Sequence, residues 1–230
     1  LDDSTADLAW TLMLGAARRL TEVERRIRNG EWRGWKLKQW LGVDVHHATI
    51  GIVGMGRIGQ AIARRAAGFD MKVLYHNRQP VEAAIEQRLQ AQYRGLDDLL
   101  RESDFVVLQV PYSPQTHHLI DARRIALMKP SAILINSTRG GVVDDAALVD
   151  ALKRGVIRAA GLDVYENEPK LHPGFLELDN VVLAPHIGSS TEATRRAMAM
   201  TAAQNLVAAL TSGDPPNLVN PDARKHRQSR

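Results

Sequence analysis

The chain has 230 residues, of which 44% are hydrophobic and 24% are charged, proportions typical of a folded protein and not of a disordered or fibrous one. It contains no cysteine, which excludes disulfides and thiolate metal sites and suits a reducing compartment such as the cytoplasm. The formal net charge of +4 is concentrated in residues 222–230, which contain four Lys or Arg and one Asp. The remaining chain is nearly neutral, which argues against nucleic-acid binding. No apolar run approaches the ~20 residues that span a bilayer, so no membrane segment is predicted.

The first part of the chain is predicted to be helical, followed by an aromatic connection. Helical periodicity predicts one long helix over residues 4–29, which Gly30 ends. Residues 30–42 form a polar connection with Trp32, Trp35 and Trp40.

From residue 49 onward, short apolar runs alternate with helical segments. The predicted strands cover residues 49–53, 71–75, 105–110, 132–136, 157–164 and 181–184, and a closing helix covers residues 192–210. Runs this apolar indicate strands that are covered on both faces. The predicted fold class is therefore α/β, with a doubly wound parallel sheet of Rossmann type.

A glycine-rich loop follows the first strand and opens a helix. Residues 54–59 read GMGRIG, with Gly54 at the tight turn, Gly56 where a pyrophosphate approaches the backbone, and Gly59 where helix and strand pack closely. The N–H groups at the start of the helix suit the anion. This context predicts a bound dinucleotide; a glycine-rich turn without ligand, a flavin site and a methyl-donor site are the alternatives.

The end of the second strand predicts which dinucleotide is preferred. An acid expected about 20 residues after the glycines would accept hydrogen bonds from the ribose 2′-hydroxyl, but Asn77 and Arg78 stand there. Arg offers a planar fork of donors to a phosphate. We therefore expect NADP(H) to be preferred, with NAD(H) possible; a solvated surface arginine is the alternative.

Three polar residues follow predicted strands: Arg139, Glu168 and His186. In a doubly wound sheet, ligands bind outside the carboxyl ends of the strands, so all three point to the edge where the glycine loop lies. A histidine with a carboxylate partner exchanges protons near neutral pH, and an arginine binds a carboxylate in a bidentate manner. Taken singly, each residue could equally be a loop, core or solvated residue.

The histidine pairs His46–His47 and His117–His118 are not predicted to bind metal. Neighbouring residues on a helix or strand point apart, and the sequence places no third ligand nearby. The sequence thus predicts no metal site.

Several segments together resemble the D-isomer-specific 2-hydroxyacid dehydrogenase family. They are GIVGMGRIGQAIARRAAGFDMKVLY, ESDFVVLQVP, MKPSAILINSTRGGVVDDAALVDAL, AAGLDVYENEP and NVVLAPHIGSST, which stand in the family's order within residues 5–221. Within the family the chain looks most like the glyoxylate/hydroxypyruvate reductases, including the 2-ketogluconate reductase type. The resemblance implies an oxidoreductase that reduces a small 2-oxo acid to the D-2-hydroxy acid by hydride transfer from NADPH.

The resemblance also implies residue roles. Arg139 would bind the substrate carboxylate and carbonyl, His186 would protonate the carbonyl oxygen, and Glu168 would pair with His186. Asp163 would hold the nicotinamide carboxamide. The other residues implied to bind the cofactor are Arg57, Ile58, Val110, Pro111, Thr116, Ser137, Thr138, Gly188 and Ser189, in addition to Arg139 and His186 themselves.

Family members carry an N-terminal substrate domain that has no counterpart in this sequence, and the chain does not begin with Met. We therefore expect N- and C-terminal helices left from the junction to an absent substrate domain, and little or no turnover by the 230 residues alone. The predicted parts are a linking helix and dimerisation segment (1–48), the dinucleotide-binding domain (49–189), a returning helix (190–213) and a tail with a disordered end (214–230). The resemblance implies a homodimer through the first segment.

Two other functions remain open. One is an NAD-dependent relative such as a phosphoglycerate dehydrogenase, against which Arg78 argues. The other is a non-enzymatic dinucleotide sensor, because corepressors that resemble this family keep the same fold and motifs.

Overall fold

A computed structural model describes residues 1–211 and 214–222 of the chain. Two compact units are present, Leu1–Gly188 and Ser189–Arg230. The tail predicted to be disordered at its end lies outside the described residues from position 223 onward. Among the described helices, none combines the length and apolar character needed to cross a membrane.

The first unit is built on a seven-stranded sheet in which every neighbouring pair of strands is parallel. The strand order is β3-β2-β1-β4-β5-β6-β7, so the direction of winding reverses between β1 and β4. The strands are β1 Thr49–Val53, β2 Lys72–His76, β3 Ala91–Tyr93, β4 Phe105–Leu108, β5 Ile133–Asn136, β6 Ala159–Leu162 and β7 Val181–Leu183. This order confirms the predicted doubly wound parallel sheet.

Helices cover both faces of this sheet. They are α1 Asp2–Ala17, α2 Leu20–Arg28, α3 Arg57–Ala66, α4 Ala83–Leu89, α5 Leu96–Glu102, α6 Ala122–Ile125 and α7 Asp145–Arg154; α8, Glu192–Thr211, belongs to the second unit. One apolar cluster joins the sheet to α1 and α3, and a second joins it to α5 and α7. Strands β4, β5 and β6 are buried at every residue because both faces are covered.

The predicted helix over residues 4–29 is two helices, so the prediction of one continuous helix is wrong. The chain breaks after α1, where Arg19 has a left-handed backbone with φ 54°. The Arg19 guanidinium donates to both carboxylate oxygens of Glu22 at 2.7 and 2.9 Å, and Glu22 is buried. This local ion pair fixes a turn that neither glycine nor proline announces in the sequence.

Helix α1 is an integral part of the first unit. Its buried face packs against α3, β5 and β6. Trp10 donates from Nε1 to the Ile62 carbonyl at 3.2 Å and stacks on Phe69. Packing therefore does not separate α1 from the dinucleotide-binding domain, and a separate linking and dimerisation role of residues 1–48 stays a prediction.

The sheet has one strand more than was predicted. Strand β3 is only three residues long and contains the exposed Gln92, so it carries no apolar run. It is the edge strand of the sheet and pairs with β2, with Leu74 opposite Gln92.

In the second unit, the described residues form mainly the helix α8 and the turn that follows it. Asn205 and Asn217 exchange hydrogen bonds of 2.9 and 3.0 Å, which tie the following turn to the helix. The exposed apolar side chains of this helix include Met200, Leu206 and Leu210.

Candidate active site

The carboxyl ends of the parallel strands meet at one edge of the sheet. Loops leave this edge after β1, β4, β5, β6 and β7, and they carry most of the residues predicted to bind cofactor or substrate. The winding reverses between β1 and β4, and such a reversal is the usual ligand position in open sheets of this kind.

The glycine loop leaves room for a ligand at one position and is closed at the other two. A side chain at Gly54 would lie 2.4 Å from the Gln109 carbonyl oxygen, and one at Gly59 would lie 2.1 Å from the Gly54 carbonyl oxygen. Gly54 also has φ +108°, a conformation that favours glycine. At Gly56, a Cβ would meet no atom within 4 Å, so an incoming group can approach the backbone. A pyrophosphate fits this cradle at the start of α3.

The residues after β2 divide into a loop anchor and an exposed cation. Asn77 accepts a hydrogen bond from the Met55 amide through Oδ1 at 2.8 Å, so its side chain holds the glycine loop. The Tyr93 hydroxyl donates to the Asn77 carbonyl at 3.3 Å. Arg78 is exposed, and its side chain makes no hydrogen bond or ion pair within residues 1–211 and 214–222. Arg78, rather than Asn77, is therefore the candidate for recognising a phosphate.

The other predicted residues of the glycine loop differ in exposure. Arg57 is highly exposed, with Nε 3.3 Å from a carboxylate oxygen of Asp2. Ile58 is half-buried and packs against the α1–α3 cluster. Neither contact contradicts the predicted role beside the pyrophosphate, which stays a prediction.

Hydroxyl groups fasten the loops after β4 and β5 to each other. Thr138 Oγ1 donates to the Val110 carbonyl, and Gln109 Nε2 donates to Ser137 Oγ at 2.7 Å. Thr116 Oγ1 donates to the Pro111 carbonyl at 2.7 Å. The structure thus brings these predicted residues together, in a framework they build among themselves.

Arg139 stands on this framework with an exposed side chain. The Asn136 side chain donates to the Arg139 carbonyl at 3.1 Å, and its Oδ1 accepts from the Thr138 amide at 3.2 Å. Within the described residues, the guanidinium donates only to the Thr138 carbonyl, at 2.6 Å. Most of its donors are therefore available to a substrate carboxylate.

His186 and Glu168 form a close pair. The Nδ1 atom of His186 lies 2.7 Å from Glu168 Oε2, and Oε1 of the same carboxylate accepts from the Tyr165 amide at 2.9 Å. A carboxylate on Nδ1 favours the tautomer with hydrogen on that atom. In the described chain no hydrogen bond involves His186 Nε2, which leaves it available to exchange a proton.

The turn that carries His186 rests on a buried carboxylate. Asp163 accepts from the amides of Ile187 and Gly188 at 2.7 and 2.9 Å, and its carbonyl accepts from the His186 amide. Burial raises the pKa of Asp163, and the two amide hydrogen bonds oppose that rise. His186 itself has φ 57°, an uncommon conformation for a non-glycine residue, so the turn needs such support. The predicted contact of Asp163 with the nicotinamide carboxamide stays a prediction.

Gly188 ends the first compact unit, and Ser189 begins the second. Gly188 is buried, and a Cβ added there would lie 3.3 Å from Thr5 Cγ2 and 3.4 Å from Asp163 Oδ2. The Ser189 carbonyl accepts from the Thr191 amide at 2.9 Å.

The sequence argument against a metal site at His117 and His118 assumed that their rings point apart and that no third ligand is nearby. The structure contradicts both assumptions. The two rings do not point apart; they stack with centroids 3.9 Å apart and planes at 24°. A third group is also present, because His118 Nε2 lies 2.8 Å from Glu166 Oε1, and among the described residues this trio is the one whose ligand atoms cluster closely enough for a metal. A metal lies in the plane of each imidazole it binds, so two stacked rings would need one to rotate.

Glu166 was missed as a residue of this edge altogether. Its position two residues before Glu168, in the loop after β6, is the signal that could have indicated it. The partner, His118, lies 48 residues away along the chain, and no local pattern joins the two.

Comparisons with known proteins agree with this geometry. Residues 10–188 match the model of the family "D-isomer specific 2-hydroxyacid dehydrogenase, NAD binding domain". The chain is 53% identical over 224 residues to a glyoxylate reductase of Thermococcus onnurineus, covering 96% of this chain and 67% of the relative. It is 51% identical over 227 residues to a glyoxylate/hydroxypyruvate reductase B of Pectobacterium carotovorum, covering 98% and 71%.

A solved structure extends the comparison to three dimensions. An NADPH-dependent glyoxylate/hydroxypyruvate reductase from Sinorhizobium meliloti superposes with a TM-score of 0.83 at 37% identity, covering 93% of this chain and 66% of the other. The family match spans most of the chain, and the relatives exceed half identity over nearly all of it. The chain therefore belongs to the D-isomer-specific 2-hydroxyacid dehydrogenase family and contains its NAD-binding domain.

Proposed function

We propose that this chain serves the NADPH-dependent reduction of a small 2-oxo acid, such as glyoxylate, hydroxypyruvate or 2-ketogluconate, to the D-2-hydroxy acid. The observation that carries the proposal is the His186–Glu168 pair, with its free Nε2, at the sheet edge where Gly56 leaves room for a dinucleotide. The relatives named glyoxylate reductase and glyoxylate/hydroxypyruvate reductase support the substrate class.

The chemistry divides between the cofactor and three side chains. NADPH, when bound, supplies the hydride that adds to the carbonyl carbon of the 2-oxo acid. Arg139 holds the substrate carboxylate and, with His186, faces the oxygen on which negative charge develops. His186 Nε2 gives its proton to that oxygen, and the product is the neutral hydroxyl.

Glu168 orients the imidazole for this proton transfer. Its hydrogen bond with Nδ1 fixes the ring with Nε2 free for the substrate oxygen, and it keeps hydrogen on Nδ1 after the transfer. The exposed position of His186 lets the imidazole regain a proton from solvent once the product has left.

The preference for NADPH rests on Arg78. It is exposed beside the loop anchor Asn77, where a ribose 2′-phosphate would be expected. The NADPH-dependent structural relative supports this part of the proposal.

Parallel titrations of the chain with NADPH and NADH, followed by nucleotide fluorescence, test the preference. We expect NADPH to bind at least about tenfold more tightly, and Arg78→Ala to remove most of that difference, since a hydrogen bond to a charged group contributes about 1.5–3 kcal/mol. Arg154→Ala removes a comparably exposed arginine on α7 and should leave the ratio unchanged. Equal or tighter NADH binding would instead favour an NAD-dependent relative.

Turnover is measured separately from binding, because the chain spans about two thirds of the length of its relatives. The three 2-oxo acids are offered to the chain alone and to the chain joined to the third of the Thermococcus onnurineus reductase that lies outside the match, hereafter the restored enzyme. NADPH oxidation by the restored enzyme with at least one of them is expected. Its absence with all three acids, despite tight NADPH binding, would contradict the proposed reaction.

We also propose a cytoplasmic homodimer. The segment after α2 exposes Trp32, Trp35, Leu37 and Leu41, with fractions between 56% and 80%. Apolar surface of this kind suits a self-complementary interface, and the oligomeric state in solution tests it.

A further inference from the structure

His118 lies between the two loops that carry the candidate reacting groups. Its backbone amide donates to the Gly141 carbonyl at 2.8 Å, two residues after Arg139. Its side chain reaches the other way, with Nε2 2.8 Å from Glu166 Oε1, two residues before Glu168. One residue thereby joins the Arg139 loop to the Glu168 loop.

The Glu168 loop has a second fixed point at the same place. The Glu166 amide donates to Oδ2 of the buried Asp145 at 3.0 Å, at the first residue of α7. The Gly140 backbone packs directly against the Tyr165 carbonyl, because a side chain at Gly140 would lie 1.8 Å from that oxygen. Glu166 is thus held through its backbone by α7 and through its side chain by His118.

We propose that His118 and Glu166 are positioning residues that keep Glu168 within hydrogen-bond reach of His186. They act through the loop, and neither contacts the reacting atoms in this arrangement. The inference deepens the proposed function and rests on it for its catalytic meaning.

The His186–Glu168 pair needs such support because it is solvent-exposed. Its side chains are 47% and 32% exposed, and exposed ion pairs contribute little stability by themselves. The Glu168 carboxylate also accepts from the amide of Tyr165, and the buried Tyr165 is tied to the sheet because its hydroxyl donates to the Ala184 carbonyl at 2.8 Å. Tyr165 therefore fixes the start of the Glu168 loop to the sheet, and the less exposed His118–Glu166 pair, at 32% and 29%, ties the next residue to the Arg139 loop.

The tautomer of His186 is a direct readout of this positioning and needs no turnover. Nitrogen NMR of the neutral imidazole in the 230-residue chain distinguishes hydrogen on Nδ1 from hydrogen on Nε2. We expect predominantly Nδ1–H in the unmodified chain, and a mixture in His118→Ala and in Glu166→Ala. Amide exchange at Tyr165 and Glu166 should accelerate at least about tenfold in the same variants.

Three further variants separate positioning from a general loss of structure. His118→Gln restores a donor near the Nε2 position and should recover most of the Nδ1–H population. The double variant His118→Ala/Glu166→Ala should be no worse than either single variant, because the two residues act as one pair. His46→Ala removes an exposed imidazole outside this edge and should leave the His186 tautomer and the amide exchange of Tyr165 and Glu166 unchanged.

In the restored enzyme, His118→Ala should lower kcat about tenfold to a hundredfold with the KM for NADPH unchanged, as expected when a reacting group is displaced by about 1 Å. An unchanged His186 tautomer in both alanine variants, or additive effects in the double variant, would overturn the inference. If the restored enzyme shows no turnover at all, the proposed function fails while the tautomer measurement still decides the positioning role.

Discussion

The two halves of the sheet edge are built in different ways. The first half consists of β1–β3 and the glycine loop; between residues 49 and 102 the described chain buries no Ser, Thr, Asn, Asp or Glu, and the backbone at Gly56 is open to a ligand. The half formed by β5–β7 buries five such residues near the carboxyl ends of its strands: Asn136, Ser137, Thr138, Asp145 and Asp163.

Under the proposed function, this difference follows from what each half would hold. A pyrophosphate is bound by backbone N–H groups, so the glycine loop needs open backbone at the point of approach rather than a buried polar side chain. Proton transfer requires one imidazole at a fixed position, so the second half needs polar side chains beneath its exposed ones. Substitutions should therefore separate binding from chemistry according to the half in which they fall.

The largest effect is expected from removing His186, the proposed proton donor of the second half. His186→Asn retains a donor near the Nδ1 position and tolerates the left-handed backbone, but it lacks Nε2. We expect kcat of the restored enzyme to fall by about 10²–10⁴, with a far smaller change in NADPH affinity and an unchanged unfolding temperature. Steady-state kinetics, NADPH titration and thermal unfolding measure the three quantities.

Glu168→Gln provides the matched comparison for that variant. It keeps an oxygen that can accept from the Tyr165 amide but removes the charge beside the imidazole. Its loss of kcat should be smaller than that of His186→Asn. Turnover within tenfold of the unmodified enzyme in His186→Asn would show that His186 is not the proton donor.

Two glycines of the first half should respond in opposite ways. In Gly59→Ala the new Cβ would lie 2.1 Å from the Gly54 carbonyl oxygen, so we expect the free energy of unfolding to fall by about 3 kcal/mol or more. In Gly56→Ala the Cβ meets nothing, so stability should be unchanged while NADPH affinity falls about tenfold or more. Denaturant unfolding and NADPH titration of both variants test this pair, and tight NADPH binding by Gly56→Ala would place the pyrophosphate elsewhere.

The same contrast explains how far the sequence alone leads. Long apolar runs predict the strands, and GMGRIG predicts its own turn, because both depend on neighbouring residues. The sequence does not predict strand β3, because its three residues carry too little pattern. It does not predict the break at Arg19 either, because that break depends on an ion pair with the buried Glu22.

In the second half the sequence indicates which residues reach the edge, but not what holds them. Their position after strands predicts that Arg139, Glu168 and His186 share an edge, and the 2.7 Å contact of the last two agrees with that expectation. The support by Asp163 and the His118–Glu166 pair depend on loops that meet only after folding. Adjacent side chains diverge on a helix or strand, but adjacent histidines in a loop need not, and the rings of His117 and His118 stack. The third group, Glu166, lies far away in the sequence, so the argument that none is near His118 is wrong.

The last expected effect is a gain in stability and concerns a buried carboxylate beneath the second half. Burial raises the pKa of Asp145 to about 6, since its charged form is poorly solvated where it accepts from the Glu166 amide. A carboxyl group whose pKa is higher in the folded state stabilises the fold at low pH, and this contribution is lost as the pH rises from about 4 through 6. Asp145→Asn keeps an acceptor oxygen and has no charge to bury. The free energy of unfolding of the variant, relative to that of the unmodified chain, should therefore increase by about 2–3 kcal/mol as the pH rises from 4 to 7.

Urea unfolding of the two chains across this pH range measures the gain, and Asp150→Asn on the exposed side of the same helix provides the control. The control should show no comparable gain, because its side chain is already in water. A constant difference between Asp145→Asn and the unmodified chain would mean that the charge of Asp145 is stabilised by the Glu166 amide as well as water stabilises it. The second half would then hold its reacting loop at no electrostatic cost, and the contrast with the uncharged interior of the glycine-loop half would lie in hydrogen bonding alone.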